Sequence, residues 1–193
     1  MKPLSILLII LIPIIIYLIS FGFFVYNEQF YTQLTDEYSS VPEKAREMNP
    51  DMIDYFKTGN IPASFSEFSE KEKSHLNDVR IVINYLLILL MILIASFIVL
   101  IRYAEAKRKI FLYGGIITII IPLLFISFPF DFLFTQMHNI FFVEGTWVFE
   151  GTDLIVNLYP FEFFFSFAKH IFLTGFCLGM VITFITWLSN RKK

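Results

Sequence analysis

The sequence predicts an all-α integral membrane protein with four transmembrane helices, a small extracytoplasmic helical cap and an interfacial aromatic loop. Three observations lead there. Four apolar runs, at residues 4–25, 79–101, 110–128 and 169–188, are each near the ~20 residues an α-helix needs to cross the hydrocarbon of a bilayer. Two segments unlike them, residues 27–78 and 131–167, follow the first and third runs, so alternating crossings put both on one face. The charges are sorted to match: of 17 acidic residues, all but Glu105 lie in those two segments. The chain reads as a single membrane domain over residues 1–193, because a water-facing segment of about fifty residues is too small for a large independent core.

Basic residues orient the spans. Lys2 precedes the first, Arg102, Lys107, Arg108 and Lys109 lie between the second and third, and Arg191, Lys192 and Lys193 follow the fourth. The positive-inside rule puts all of them, and hence both termini, in the cytoplasm. The formal charge of -2 therefore hides a polarised molecule, since residues 27–78 hold eleven acids against five Lys or Arg. The basic clusters are short and juxtamembrane, which fits anionic lipid as a partner and not nucleic acid.

The first run is too long for a secretion signal and no small-residue cleavage site follows it, so it reads as an uncleaved anchor. Pro13 and Pro122 fall inside the first and third runs, where neighbouring helices can satisfy the freed carbonyls. Val41 to Tyr55 reads as a short helix opened by Pro42, with Pro50 as a break or a new first turn. Thr58-Gly59-Asn60-Ile61-Pro62 reads as a turn. A further helix from Glu67 to Asn77 is expected to run into the second span. Residues 131–167 are aromatic throughout yet punctuated by Asp131, Gln136, His138, Glu144, Glu150, Asp153 and Glu162. Such a segment belongs at the outer interface, where aromatic rings are favoured. In the fourth run Gly175-Phe-Cys-Leu-Gly179 has the small-xxx-small spacing of close helix packing. Cys177, the single cysteine, excludes an internal disulfide and reads as a small buried hydrophobe.

Candidate chemistry gathers at the outer ends of the spans. His75 and Asp78, three apart, share a helical face, so Asp78 could set the tautomer of the imidazole. Arg80 and Asn84 stand about one turn into the apolar run, where an ionisable group needs a partner or a polar cavity. Asp78, Glu162 or another external-side carboxylate is the expected partner of Arg80. His138, in apolar company beyond the third span, has the pKa range of a general base. His170 beside Lys169 reads as a packing residue. No HExxH or clustered cysteine spacing points to a metal, and neither a Gly-x-Ser-x-Gly elbow nor a Walker loop occurs. No cofactor is expected.

Three stretches resemble a known family. They are Ser74-His75-Leu-Asn-Asp78-Val, His138-Asn-Ile-Phe-Phe-Val-Glu-Gly145-Thr-Trp147-Val-Phe149, and Leu154-Ile-Val-Asn-Leu-Tyr159-Pro160-Phe-Glu162-Phe-Phe. Together they are similar to the signature of the lipoprotein intramolecular transacylase (Lit) family, small four-span bacterial membrane proteins. The resemblance implies that His75 and His138 are the catalytic histidines. It implies a diacylated bacterial lipoprotein as substrate, its sn-2 acyl chain moving from glycerol oxygen to the free α-amine of the N-terminal cysteine. Asp78, Arg80, Asn84, Trp147, Tyr159 and Glu162 are the polar residues expected to support the site, an oxyanion or the substrate.

The residues suit that reaction. Ester to amide is downhill and needs no nucleotide, and both reacting groups already sit on one molecule. The amine, with a pKa of about 8, needs only a neighbouring imidazole to take its proton. We assign the base to His138, whose loop is the more hydrophobic, and the proton shuttle to His75 backed by Asp78. A non-catalytic lipid- or lipoprotein-binding module is the alternative reading. A transporter ranks behind both, because the polar residues within the spans do not form a continuous path.

Overall fold

A computed structural model describes residues 2–191, with the side chains of Asn190 and Arg191 left aside; the basic Lys192 and Lys193 lie outside the described residues. Each apolar run satisfies its backbone internally, as a segment in hydrocarbon must, and becomes a helix: α1 (Pro3–Val25), α4 (Glu70–Leu100), α5 (Lys107–Phe125) and α8 (Phe161–Arg191). All four are long and apolar enough to cross a membrane. Shorter helices lie between them: α2 (Glu28–Tyr38), α3 (Pro42–Thr58), α6 (Phe130–Phe141) and α7 (Leu154–Leu158). The chain divides into two compact units, one from Met1–Gly22, Leu86–Phe128 and His170–Lys193, the other from Phe23–Tyr85 and Pro129–Lys169.

The first unit packs α1 against parts of α4, α5 and α8 around Leu8, Ile9, Leu11, Ile12, Ile16, Ala104 and Ile110. Glycines set its helix approaches. A Cβ on Gly175 would fall 2.2 Å from the Tyr17 ring, and one on Gly179 would fall 3.1 Å from the Gly115 carbonyl oxygen. The small-xxx-small spacing of α8 is thus used on two neighbours, Gly175 against α1 and Gly179 against α5. Tyr17, whose ring lies against Gly175, donates its hydroxyl to the Thr118 carbonyl at 2.8 Å.

The second unit holds the remaining elements. Asn27 caps α2 by accepting from the Phe30 N–H at 3.0 Å, and α2 buries Phe30, Tyr31, Leu34 and Thr35. This helix is absent from the sequence-based expectation. Pro42 opens α3 as expected, but the helix runs unbroken through Pro50 to Thr58. An interior proline costs about 3 kcal/mol, and burial of Met48, Met52, Ile53, Tyr55 and Phe56 on both sides of it offsets that cost. Gly59 ends α3 in the left-handed conformation at φ 80°, the position glycine fills without strain.

The start of α4 differs from expectation too. Residues Ala63–Glu67 form a 3-10 turn, and the helix begins after Ser69. There a capping box forms: Ser69 N–H donates to Glu72 Oε2 at 2.7 Å and Glu72 N–H to Ser69 Oγ at 3.3 Å. The segment after α5 holds more helix than its composition indicates, with α6, the connection 142–153, α7 and the first turns of α8. Glu72 ties α7 down by accepting the Ile155 N–H at its Oε1, 2.8 Å away.

Candidate active site

Two helices distant in sequence deliver the histidines. His75 lies on the second turn of α4, on the face it shares with Glu72 and Lys71. His138 is the buried residue of α6. Their rings stack with centroids 6.1 Å apart and 22° between planes. Aromatic rings close around them. Phe142 lies 4.9 Å from His75 and 5.3 Å from His138, Phe149 lies 5.4 Å from His75, and Trp147 and Phe134 lie 4.7 and 4.1 Å from His138. Exposure falls to 6% for His75 and 7% for His138.

One bond assigns a tautomer. His138 Nδ1 is 2.8 Å from the Phe134 carbonyl oxygen, which can only accept, so Nδ1 carries the hydrogen and Nε2 of the neutral ring presents a lone pair. Burial pushes the His138 imidazole below its ordinary pKa, against a smaller upward pull from the Phe134 carbonyl. The ring is therefore neutral at physiological pH and able to accept a proton.

Among the described residues, His75 Nδ1, Trp147 Nε1, Arg80 Nε and Thr183 Oγ1 are buried with no hydrogen-bond partner. Each such group costs about 1–3 kcal/mol. Two of the four, Trp147 Nε1 and His75 Nδ1, belong to the histidine cluster.

The connection 142–153 brings Trp147 and Phe149 to the rings. Its first N–H, that of Phe142, donates to the His138 carbonyl at 2.8 Å and closes α6. Gly145, at φ 82°, supplies the left-handed residue that turns the chain back. Asp153 Oδ2 accepts the Glu150 N–H at 2.7 Å, and Glu72 then fixes Ile155.

The other residues singled out from the sequence lie elsewhere. Asp78 does not set the His75 tautomer, since Nδ1 has no partner; the ring turns instead to the aromatic cluster. Arg80 pairs with neither Asp78 nor Glu162. Its guanidinium lies 5.5 Å from the Tyr55 ring centroid and against Gly59, whose added Cβ would sit 2.5 Å from Nη1. The cation thus meets the C-terminal end of α3, where the helix dipole is negative, and an aromatic face. Asn84, nine residues beyond His75, stands about 13 Å further along the α4 axis. Tyr159 is taken up by a buried chain: its hydroxyl donates to Asn49 Oδ1 at 3.0 Å, and Asn49 Nδ2 to Thr35 Oγ1 at 3.0 Å. Glu162 is exposed at the start of α8, near Tyr38. Sequence reasoning missed Lys71 and Glu72, although Ser69-Glu-Lys-Glu72 carries the capping-box pattern that marks them as the first turn of α4. Among the described residues, no group of three or more His, Cys, Asp or Glu converges.

Known proteins share this architecture. A family model described as lipoprotein intramolecular transacylase Lit matches residues 1–164. An uncharacterized protein of Aquifex aeolicus is 23% identical over 149 residues, 72% of this chain, and the match spans 65% of that relative's length. The in meso structure of the membrane integral lipoprotein intramolecular transacylase Lit from Bacillus cereus is similar at 21% identity and a TM-score of 0.79, over 98% of this chain and 95% of that one. The same Bacillus cereus protein with a histidine-to-alanine substitution is similar at 20% identity and a TM-score of 0.80, over 98% and 93%. At such identities the likeness between structures speaks for the fold.

Proposed function

The chain belongs to the lipoprotein intramolecular transacylase (Lit) family, and from that premise we propose that it moves the sn-2 acyl chain of a diacylglyceryl lipoprotein onto the α-amine of the lipoprotein's N-terminal cysteine. The product is an N-acyl, lyso-glyceryl lipoprotein. The observation that supports this reading most is the stacked pair of His75 and His138, 6.1 Å apart inside an aromatic enclosure that keeps donor capacity unpaired.

In this reading the amine nitrogen attacks the ester carbonyl carbon while His138 Nε2 accepts its proton. The carbonyl oxygen becomes an oxyanion, and the unpaired N–H of Trp147 stabilises it. The C–O bond to glycerol then breaks, and the glycerol oxygen takes a proton from the histidine pair through His75. The proton lost at nitrogen equals the one gained at oxygen, so the pair ends as it began. Two imidazolium rings this close would repel each other, which favours one mobile proton shared between them. Asp78 backs neither ring in this scheme. Aromatic walls hold acyl chains and limit water, which protects the ester from hydrolysis.

The basic residues beside the spans support a multi-pass protein of the bacterial cytoplasmic membrane, with both termini cytoplasmic and the histidines on the extracytoplasmic side. Diacylated lipoproteins and membrane lipids are the partners. The test is mass spectrometry of a reporter lipopeptide from a host unable to N-acylate it. Expression of this chain is expected to convert the free amine to an N-acyl form and leave a lyso-glyceryl group; an unmodified amine at full expression returns the chain to a non-catalytic lipid-binding role.

A further inference from the structure

The connection 142–153 puts Trp147 and Phe149 on the imidazoles, yet between its ends this stretch is mostly exposed. Gly145 and Gly151 have nothing within 4 Å of where a Cβ would stand. What holds the middle of it is Lys71. The Lys71 ammonium donates to the Val148 carbonyl oxygen and lies 5.0 Å from the Phe149 ring centroid. The same ring borders the site, for Phe149 is 5.4 Å from His75. Lys71 and His75 are four apart on α4, so one helix face carries both the strap and the imidazole it covers. The next residue, Glu72, is 2% exposed and fixes the far end of the connection through Ile155. Neighbouring residues on α4 thus anchor the middle and the end of the chain that roofs the histidines.

We propose that Lys71 is a positioning residue that keeps Trp147 and Phe149 closed over His75 and His138, and so directs the acyl group to the amine and not to water. This rests on the transacylase reading above. Two nucleophiles compete for one carbonyl carbon. Attack by the amine breaks the C–O bond to glycerol, sends the amine proton to the glycerol oxygen and yields the amide. Attack by water breaks the same bond, sends a water proton to the glycerol oxygen and releases a free fatty acid. Both routes use the same histidines and leave the same lyso-glyceryl group. They differ in whether water reaches the carbonyl, which is what a loosened roof would change. One hydrogen bond and one cation–π contact hold the strap, enough to change an open population by up to about tenfold.

The experiment compares Lys71→Met, which keeps the alkyl stem, and Lys71→Arg, which keeps charge and donors, with the parent. All are full-length, in detergent, and carry Trp187→Phe so that Trp147 alone fluoresces; the chain has two tryptophans. Acrylamide quenching reports the roof, and the ratio of released fatty acid to N-acylated lipopeptide reports the partition. A merely lower folded fraction reduces both products and leaves the ratio where it was. Lys71→Met is expected to raise quenching and to raise the ratio several-fold, with Lys71→Arg close to the parent. Phe149→Leu, which removes the ring under the ammonium, is expected to move both readouts in the same direction. Parental quenching in Lys71→Met overturns the proposal, and so does raised quenching with an unchanged ratio. If the parent forms no N-acylated product, the transacylase reading falls, while quenching alone still decides whether Lys71 holds the roof.

Discussion

Replacing His138 by alanine is expected to lower the rate of lyso-lipoprotein formation by about 10²–10⁴-fold, the usual worth of a positioned general base, with membrane insertion and yield unchanged. His75→Ala is expected to fall in the same range, because the leaving glycerol oxygen then lacks its donor. Both rings are nearly enclosed (7% and 6% exposed), so each substitution also leaves a void, and Tm in detergent should be read beside the rate. The acid limb of the pH–rate profile carries a further signature. Burial holds His138 below its ordinary pKa; a base with a depressed pKa stays neutral to lower pH, and its contribution is lost as pH falls through that depressed value. The acid side of the profile is therefore expected to carry two steps, one from the substrate amine near its pKa of about 8 and one from His138 below the ~6.5 of a free imidazole. Wild-type rates from both alanine variants would remove histidine base catalysis and favour the non-catalytic binder.

Trp147→Phe is expected to separate stability from activity. Phenylalanine keeps an aromatic ring at the 4.7 Å contact with His138 and removes the N–H. That N–H is buried without a partner, so its loss costs the folded protein nothing and relieves up to about 1–3 kcal/mol of unmet desolvation. If the same N–H meets the oxyanion, its loss costs about 10²–10³-fold in kcat. The expected outcome is a Tm equal to or above the parent with kcat far below it. A Trp147→Phe enzyme with full kcat would take the indole out of the reaction and leave it a packing role.

The membrane helices are legible because an unbroken run of about twenty apolar residues matches the thickness of a bilayer's hydrocarbon and little else. Their ends are less so. Hydropathy marks where a helix enters hydrocarbon, not where it starts, and α4 extends to Glu70 because a capping box between Ser69 and Glu72 supports turns that are polar. The absence of α2 from the sequence reading has a similar origin: Asn27 and the spacing of Phe30, Tyr31 and Leu34 signal a capped amphipathic helix, but Thr32 and Gln33 between them and Asp36 and Glu37 after them dilute it. In α6 apolar residues on most positions mask the face that buries His138. The candidate residues divide in the same way. Both histidines can be singled out by type and by motif, and family resemblance puts them together; a separation of 63 positions gives no physical means to derive a 6.1 Å stack. Arg80 does need compensation at its depth, but a carboxylate is the source its sequence context suggests. A helix C-terminus and a tyrosine face supply it instead, which only the position of Arg80 beside Tyr55 and Gly59 reveals.

In the proposed transfer one enzyme-bound molecule supplies both the acyl chain and the amine, with the histidine pair between them. An isotope crossover measurement tests it most directly. Equal amounts of two diacylated reporter lipopeptides, one with deuterium in both the peptide and the sn-2 chain and one with neither, are incubated with the purified protein and the N-acylated products are weighed by mass spectrometry. Transfer within one molecule is expected to give two product masses, heavy chain on heavy peptide and light chain on light peptide, with no mixed species. Mixed products in statistical proportion would show that acyl chains pass between molecules and would contradict the intramolecular transfer, and an absence of N-acylated product would contradict the transacylase activity altogether.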